Sequence, residues 1–303
     1  MALTLADAAK LETDALKKGV IETFGEFSPV LEDLPFIEVQ GNSYKYAIES
    51  SLPAVEFREV NSAYTESAGE FTQASEPLVI FGGVVDVDRY LQQTRGSIND
   101  QRAIQTRMKV KSLALAFTRN FFEGDTTADP NSFEGLSKRL TGAQVITADD
   151  GGHNGDDLSM DYMDMLIDAV WGGPDVIYMS RHNRRKLTQI ARETNFLEVY
   201  LDDFGRQVTR YDGIPVKIIG KDETNEEILG NDETEGENDE TSSIYAVKYG
   251  ADEFVCGITN GGIQVDDLGL IPSPPVYRTL IEFYCGLAVF HPQAAARLKG
   301  INK

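Results

Sequence analysis

The side chains best suited to acid–base catalysis or metal binding at neutral pH are three histidines, His153, His182 and His291. They lie far apart in the sequence, and no two of them have the spacing of a zinc-binding pair. The sequence also lacks the G-x-S-x-G turn of a nucleophilic serine and the G-x-x-x-x-G-K-[ST] loop that holds phosphate. We therefore predict no catalytic residue and no cofactor.

Acidic residues could bind a metal ion at one place and act as a catalytic pair at another. The stretch 141–157 is rich in Gly and Asp, but its spacing departs from the D-x-[DN]-x-[DN]-G-x₅-E pattern of a calcium loop. The pair Asp266 and Asp267 is typical of a surface turn. We predict no metal site at the first place and no catalytic pair at the second.

The two cysteines, Cys256 and Cys285, each lie in an apolar, strand-like run. Neither belongs to a pair with metal-binding spacing. We predict buried free thiols in a reducing compartment rather than a disulfide.

A basic cluster follows Ser180, in the stretch R-H-N-R-R-K at 181–186. Such a cluster could bind phosphate, or it could contact acidic residues of a neighbouring subunit. We favour the second interpretation, with Arg184 and Arg185 as candidate contacts.

The chain carries a net charge of −21, and half of the residues in 221–240 are acidic. A stretch of that composition is usually a solvated loop that buries little, so we predict one here, in preference to a cation site. An acidic chain also binds DNA poorly without specific contacts, because phosphate contacts need Lys and Arg. No apolar run is long enough to span a bilayer, and the N-terminus does not have the pattern of a signal peptide.

The longest predicted element is a helix over 97–124, which has no Pro and no internal Gly. Ser97 is suited to its N-cap and Gly124 to its end. Its apolar residues form two stripes instead of one. One stripe contains Ala103, Val110, Leu113, Ala114, Phe117 and Phe121, and the other contains Ile104, Met108, Leu115 and Phe122. The helix is therefore either packed on two sides within its own domain, or has one stripe against an arm, a loop or a neighbouring subunit.

The N-terminal region predicts a segment without a core of its own. Residues 3–24 have the spacing of an amphipathic helix, with Leu5 and Leu16 on its apolar face. Residues 28–41 carry two prolines and scattered apolar residues, which predicts an extended arm. An apolar arm without a core must be covered by a surface elsewhere.

The next region, 43–88, predicts long antiparallel strands around a polar tip at 61–76. One run alternates through Tyr44, Tyr46 and Ile48, and the alternation continues through Val55 and Phe57. An isolated two-stranded ribbon is marginally stable in water, so this ribbon also needs a partner.

From residue 158 onward the pattern alternates between helix and strand, which predicts a separate α/β unit over 158–266. Its helix over 158–171 ends at Gly172-Gly173-Pro174, and Ser180 caps the next helix. The predicted strands of this unit cover 175–180, 211–220, 242–250 and 252–258.

Four stretches in this order resemble the tailed-bacteriophage major capsid proteins, which have the Hong-Kong-97-like or Johnson fold. They are W-G-G-P-D-V-I-Y-M-S-R-H-N-R-R-K-L, Y-D-G-I-P-V-K-I-I, S-I-Y-A-V-K-Y-G and R-T-L-I-E-F-Y-C-G-L-A-V-F-H-P-Q-A-A-A-R-L-K-G-I. The resemblance covers essentially the whole chain and implies an α+β fold. Its implied parts are an N-arm at 1–41, an E-loop at 42–90, a P-domain with the spine helix at 91–150, an α/β A-domain at 151–267, and closing P-domain strands at 268–303.

The resemblance implies a protein of the virion capsid that assembles in the host cytoplasm into hexamers and pentamers of an icosahedral shell around double-stranded DNA. Implied partners are copies of itself, a separate scaffolding protein and a portal, without a membrane. Candidate inter-subunit contacts are Leu5, Leu16, Phe36, Tyr64, Phe71, Arg184 and Arg185. Arg107 and Lys111, between the two stripes of the helix, either face the packaged DNA or form a solvated or salt-bridged face.

Two other functions fit parts of the sequence. An encapsulin, the shell protein of a bacterial compartment loaded with enzymes, has the same fold. An acidic α/β hydrolase would use the acidic stretch as a lid. The contents of a particle separate the first two, and small soluble oligomers under all conditions would favour the third.

Overall fold

The computed structural model describes residues 27–95, 101–149, 151–152, 154–194, 198–201 and 207–303. The predicted helix over 3–24, with Leu5 and Leu16, lies outside the described residues, as do Ser97 and His153.

The described residues form six α-helices. These are α1 (Pro29–Asp33), α2 (Arg89–Arg95), α3 (Gln101–Glu123), α4 (Leu136–Arg139), α5 (Met160–Asp168) and α6 (Arg181–Thr194). We call α3 the spine helix.

Fourteen strands accompany these helices in the described part of the chain. They are β1 (Phe36–Glu38), β2 (Ser43–Ser51), β3 (Glu70–Pro77), β4 (Val79–Asp88), β5 (Val145–Thr147), β6 (Val176–Met179), β7 (Glu198–Leu201), β8 (Gln207–Tyr211), β9 (Ile214–Ile218), β10 (Glu233–Glu235), β11 (Asn238–Val247), β12 (Val255–Pro272), β13 (Pro275–Val289) and β14 (Ala295–Asn302).

These strands form three sheets. A four-stranded sheet has the order β1-β12-β13-β4, and its centre is the long antiparallel hairpin of β12 and β13. An eight-stranded sheet has the order β5-β14-β11-β6-β9-β8-β7, with β10 paired to β11. Strands β2 and β3 pair only with each other and form a two-stranded ribbon.

The spine helix connects the two larger sheets through its aromatic residues. Phe117 lies 6.1 Å from Phe283 of the four-stranded sheet, measured between ring centroids. Phe122 lies 5.6 Å from Tyr178 and 5.1 Å from Tyr245, both in the eight-stranded sheet. The first predicted stripe is buried from Val110 to Phe121, whereas its remaining member, Ala103, is exposed.

The second stripe of the spine helix is buried only at one end. Phe122 is fully buried and Leu115 is half-buried, but Ile104 is exposed and Met108 has 61% of its side chain exposed. The helix ends at Glu123, as Gly124 predicts. A side chain at Gly124 would collide with the carbonyl oxygen of Phe133, so only glycine fits there.

The prediction of a coreless arm at 28–41 was wrong. Ser28 caps α1 and bonds to Thr118 Oγ1 of the spine helix at 2.6 Å. Val30, Leu31 and Leu34 are fully buried in the chain's own core. Strand β1 then joins the four-stranded sheet, parallel to β12. Prolines exclude a long helix here, but they permit a short helix and strand that pack on residues distant in sequence.

Phe36 was predicted as an inter-subunit contact, and the structure contradicts that role. Its ring is buried in this chain, with its centroid 5.6 Å from that of Phe283. The ring also covers Gly257 so closely that a side chain there would collide with it. Phe36 is therefore part of the core that holds the arm on its own subunit.

We expect Phe36→Ala to lower the free energy of unfolding by about 3–5 kcal/mol, the usual cost of truncating a buried aromatic residue. Urea unfolding of the isolated subunit measures this loss. The matched control is Phe71→Ala, because Phe71 is 70% exposed and surface substitutions usually change stability by less than ~0.5 kcal/mol. Equal losses from the two variants would contradict the assignment of Phe36 to the core.

The ribbon differs in detail from its prediction. Strand β3 begins at Glu70, inside the stretch that was predicted as a polar tip, and pairs with β2 from Ser43↔Pro77 to Ser51↔Glu70. The predicted alternation through Val55 and Phe57 forms no strand, because residues 52–69 make an irregular loop. We call residues 52–69 the ribbon tip.

The α/β pattern from residue 158 onward is confirmed at its main elements. Ser180 Oγ accepts a hydrogen bond from the backbone N–H of Asn183 at 3.1 Å, which caps α6 as predicted. Met163 and Leu166 of α5 and all of β6 are buried. Helix α5 ends at Asp168, earlier than predicted, so Trp171 lies beyond it and is exposed.

The prediction of a solvated loop at 221–240 was wrong. Ile228 and Leu229 are buried in the main hydrophobic core. Strand β10 pairs with β11, and its carboxylates Glu233 and Glu235 pair with Arg297 at 2.9 Å and Lys299 at 2.8 Å. Two of the acidic residues are thus matched by basic residues of β14, far along the chain.

Both cysteines are buried free thiols, as predicted. Burial raises the pKa of Cys256 to about 12 and raises the pKa of Cys285 further. Because the thiolate is the reactive form, we expect neither thiol to react with a soluble disulfide reagent at pH 8 in the folded protein. Absorbance of the released thiolate measures this, and both thiols should react once the protein is unfolded in urea. Rapid reaction of the folded protein would contradict the burial of both thiols.

Candidate assembly surfaces

The ribbon tip presents a group of exposed apolar side chains. Val55 is 96% exposed and Phe57 is completely exposed, and Val60 and Leu52 are nearly so. Tyr64, predicted as a contact, lies in the same loop and is 64% exposed, with the guanidinium of Arg58 5.1 Å from its ring centroid. Exposed apolar residues grouped in one loop are a candidate surface for another protein.

In contrast, the base of the ribbon is held firmly to the body. Arg139 donates two hydrogen bonds of 2.6 Å to the carboxylate of Glu76, and both side chains are largely buried. Tyr46 donates to the same carboxylate at 3.2 Å, and its ring lies 4.6 Å from that of Phe290. Paired, buried and bidentate contacts fix geometry well.

A further hydrogen bond at the base joins Tyr44 to the turn before β12. Tyr44 donates to Asp252 Oδ1 at 2.7 Å, and this bond raises the pKa of Tyr44 to about 12. The ribbon is therefore fixed at its base, and its apolar tip extends without support from the rest of the described chain.

A second apolar surface lies on the side of β4 that faces away from the spine helix. Successive side chains of a strand point to opposite faces. Val85 and Val87 are buried, and Gly83 faces Lys109 of the spine helix. Ile80 and Val84 therefore point to the other face, where both are exposed.

The predicted basic contacts lie at the start of α6. Arg185 is exposed and Arg184 is half-buried. The Nε atom of Arg184 is buried and has no hydrogen-bond partner among the described residues. Burial and the neighbouring charges of Lys186 and Arg185 lower the pKa of His182, so the cluster is neutral at that position and positive around it at pH 7.

Arg107 and Lys111, predicted to face DNA, are both exposed on the spine helix. The ammonium group of Lys111 lies 4.9 Å from the ring centroid of Phe27. The spine helix has five basic residues and one acidic residue in a chain of net charge −21. It is therefore a basic element in an acidic protein.

The structure brings some predicted contacts together and separates others. Tyr64 and Phe71 both lie on the ribbon. Arg184 and Arg185 lie on α6, which follows β6 of the eight-stranded sheet. Leu5 and Leu16 lie outside the described residues. The prediction missed the exposure of Val55, Phe57 and Val60, although three large apolar residues after Pro53 in an otherwise polar loop were a visible signal.

In the part of the chain that the structure describes, no group of three or more His, Cys, Asp or Glu side chains is arranged to hold a metal ion. No helix there is both long and apolar enough to cross a membrane.

Solved structures with the same fold include phage capsids and an encapsulin. The SrpI encapsulin from Synechococcus elongatus PCC 7942 has a TM-score of 0.66 and 15% sequence identity, over 100% of this chain and 97% of that chain. A structure of Microbacterium phage Oxtober96 matches with a TM-score of 0.65 and 14% sequence identity, over 91% of each chain. The capsid of cyanophage A-1(L) has a TM-score of 0.62 and 13% identity, over 91% of this chain and 93% of that chain. No curated protein matches the chain.

A spine helix between two sheets, with a projecting ribbon, defines the Hong-Kong-97-like capsid fold, and the predicted α+β fold class is confirmed. The family model of major capsid protein GP7 matches residues 12–163, just over half of the chain. The chain belongs to the major capsid protein GP7 family. The predicted recognition as a tailed-phage major capsid protein is therefore confirmed, and the role is that of a structural protein of the capsid.

Proposed function

We propose that copies of this chain form hexamers and pentamers of an icosahedral shell that encloses double-stranded DNA. The shell assembles in the host cytoplasm with a separate scaffolding protein and a portal. The observation that carries this proposal is the ribbon, which is fixed at its base by Arg139 and Glu76 and exposes Val55, Phe57 and Val60 at its tip.

A surface of this kind favours a heterologous contact, in which the tip of one copy covers a different surface of the next. Such contacts close into rings when the rotation between copies is right. Obligate contacts commonly bury more than ~2,000 Å². Repulsion between subunits of charge −21 is limited because physiological salt screens charges over ~8 Å.

We also propose domain assignments that follow the sheets. Residues 1–41 form the N-arm, and the ribbon at 43–77 is the projecting part of the E-loop. The predicted boundary at residue 267 falls inside β12, so we place the end of the A-domain before Val255. Strand β14 pairs with β11 and β5, which favours its inclusion in the A-domain sheet instead of the P-domain.

In this assignment the candidate contacts of the subunit are Tyr64 and Phe71, which are exposed on the ribbon, and Arg184 and Arg185 on α6, where Arg185 is exposed and Arg184 is half-buried. Arg107 and Lys111 give the spine helix a basic surface for packaged DNA. Because the contact to DNA is enclosure without base recognition, it depends on charge and not on sequence.

The contents of purified particles test this function. Particles from infected or induced cells should contain nuclease-protected double-stranded DNA, measured by extraction after nuclease treatment. The second candidate, an encapsulin-type compartment, is favoured by the fold match to the SrpI encapsulin over the whole chain. Particles that contain a defined protein cargo and no nucleic acid would support the compartment and overturn the capsid.

A further inference from the structure

We propose that the groove beside the spine helix is the docking site of residues 3–24 of the same chain. The groove encloses about 640 Å³, and its walls come from the spine helix, the start of the arm and the loop after β9. Its apolar lining residues are Met108, Leu115, Phe27, Pro29 and Ile228. Met108 is 61% exposed, so the groove is open along the second stripe of the helix.

The position of Phe27 identifies the occupant. Phe27 forms part of the groove wall and lies under Lys111. It is also the first described residue, so the segment that precedes it is connected to the rest of the chain at the wall of the groove. A segment tethered by a short linker has an effective concentration in the millimolar range. At that concentration the chain's own segment outcompetes one from a neighbour.

The sequence of 3–24 matches the groove in shape and polarity. Its pattern predicts an amphipathic helix with one apolar face. That face is suited to cover the apolar residues that line the groove. The second stripe is exposed at Ile104 and Met108 and half-buried at Leu115. From Ile104 to Leu115 it measures roughly 17 Å at ~1.5 Å per residue, a length that about eleven helical residues would cover. The polar residues that line the groove include Lys111, Lys221 and Glu223, so the groove carries both signs of charge. The segment likewise has four acidic and three basic residues.

This assignment gives the second stripe of the spine helix a cover within the subunit. The ribbon tip is then left as the main apolar surface that needs a neighbour. The docking does not depend on shell formation, so it can be tested in isolated subunits, separately from the proposed function.

The test uses engineered cysteines in the full chain. The native thiols are buried and have raised pKa values, so added cysteines react selectively. We expect the double variant Leu16→Cys with Met108→Cys to be joined within one chain by a short flexible bismaleimide, at a rate independent of protein concentration. The matched control joins Leu16→Cys to Ile80→Cys, because Ile80 is an exposed aliphatic residue on the opposite face of the four-stranded sheet. In micromolar protein the Met108 pair should react at least ~100-fold faster than any pair between chains, given millimolar effective concentration.

Equal rates for the Met108 and Ile80 pairs in dilute subunits would overturn the proposal. So would a product that forms only when the two single variants are mixed, since that result assigns the groove to the segment of a neighbouring copy.

A second measurement does not depend on the register of the helix. Deleting residues 1–24 should increase the rate of maleimide labelling of Met108→Cys at least tenfold and leave the labelling of Ile80→Cys unchanged. An unchanged rate at Met108→Cys would overturn the docking, even in a subunit that still assembles into shells.

Discussion

Replacing Val55, Phe57 and Val60 together with asparagine should abolish shell assembly and leave the subunit folded. All three side chains are almost completely exposed in the single chain, so their loss removes no internal contact. If a neighbour covers them, each contributes about 1.5–3 kcal/mol of burial. Three losses then lower the association constant at each contact by roughly 1,000-fold or more, at about tenfold per 1.4 kcal/mol.

Sedimentation velocity of the purified protein measures the fraction in closed particles. The matched control keeps the tip apolar, with Val55→Ile, Phe57→Leu and Val60→Ile, and should assemble normally. Thermal unfolding of isolated subunits should give the same midpoint for all variants, within the small change expected of surface substitutions. Normal shells from the asparagine variant would contradict the role of the ribbon tip.

Deleting residues 222–240 should destabilise the subunit severely, by at least ~5 kcal/mol. The deletion removes Ile228 and Leu229 from the core, and truncating one such side chain typically costs 2–5 kcal/mol. It also removes β10 and leaves Arg297 largely buried without Glu233, an unpaired charge that costs several kcal/mol.

Two milder variants separate the causes of this loss. Ile228→Ala should lower the free energy of unfolding by about 2–5 kcal/mol in urea titrations. Glu223→Gln with Glu226→Gln, at two exposed acidic positions of the same stretch, should change it by less than ~0.5 kcal/mol. A stable, cooperatively folding deletion variant would show that the segment is the solvated loop that its composition predicts.

Local signals in the sequence were sufficient to predict several elements of the fold. The spine helix was predictable because 3.6-residue periodicity is local and Gly124 marks its end. The capped helix after Ser180 was predictable for the same reason. The first strand of the ribbon was predictable because Tyr44 and Tyr46 alternate with polar residues, which is typical of an antiparallel strand.

The errors share a different cause, which is pairing between distant residues. The partners of Phe36 are Phe283 and Gly257, and those of Glu233 and Glu235 lie in β14. Local composition contains none of this information, so a proline-rich segment was predicted as an unsupported arm and an acidic segment as a solvated loop. At the ribbon tip, Val55 and Phe57 were predicted as part of a strand because they alternate with polar residues, so their exposure in an irregular loop was missed.

Electron cryo-microscopy of the purified, assembled chain tests the central claim most directly. The account predicts closed shells in which the ribbon at 43–77 of each copy lies on the adjacent copy, with Phe57 buried between them. Shells in which each ribbon contacts only its own chain, or small oligomers at every concentration and salt, would contradict it.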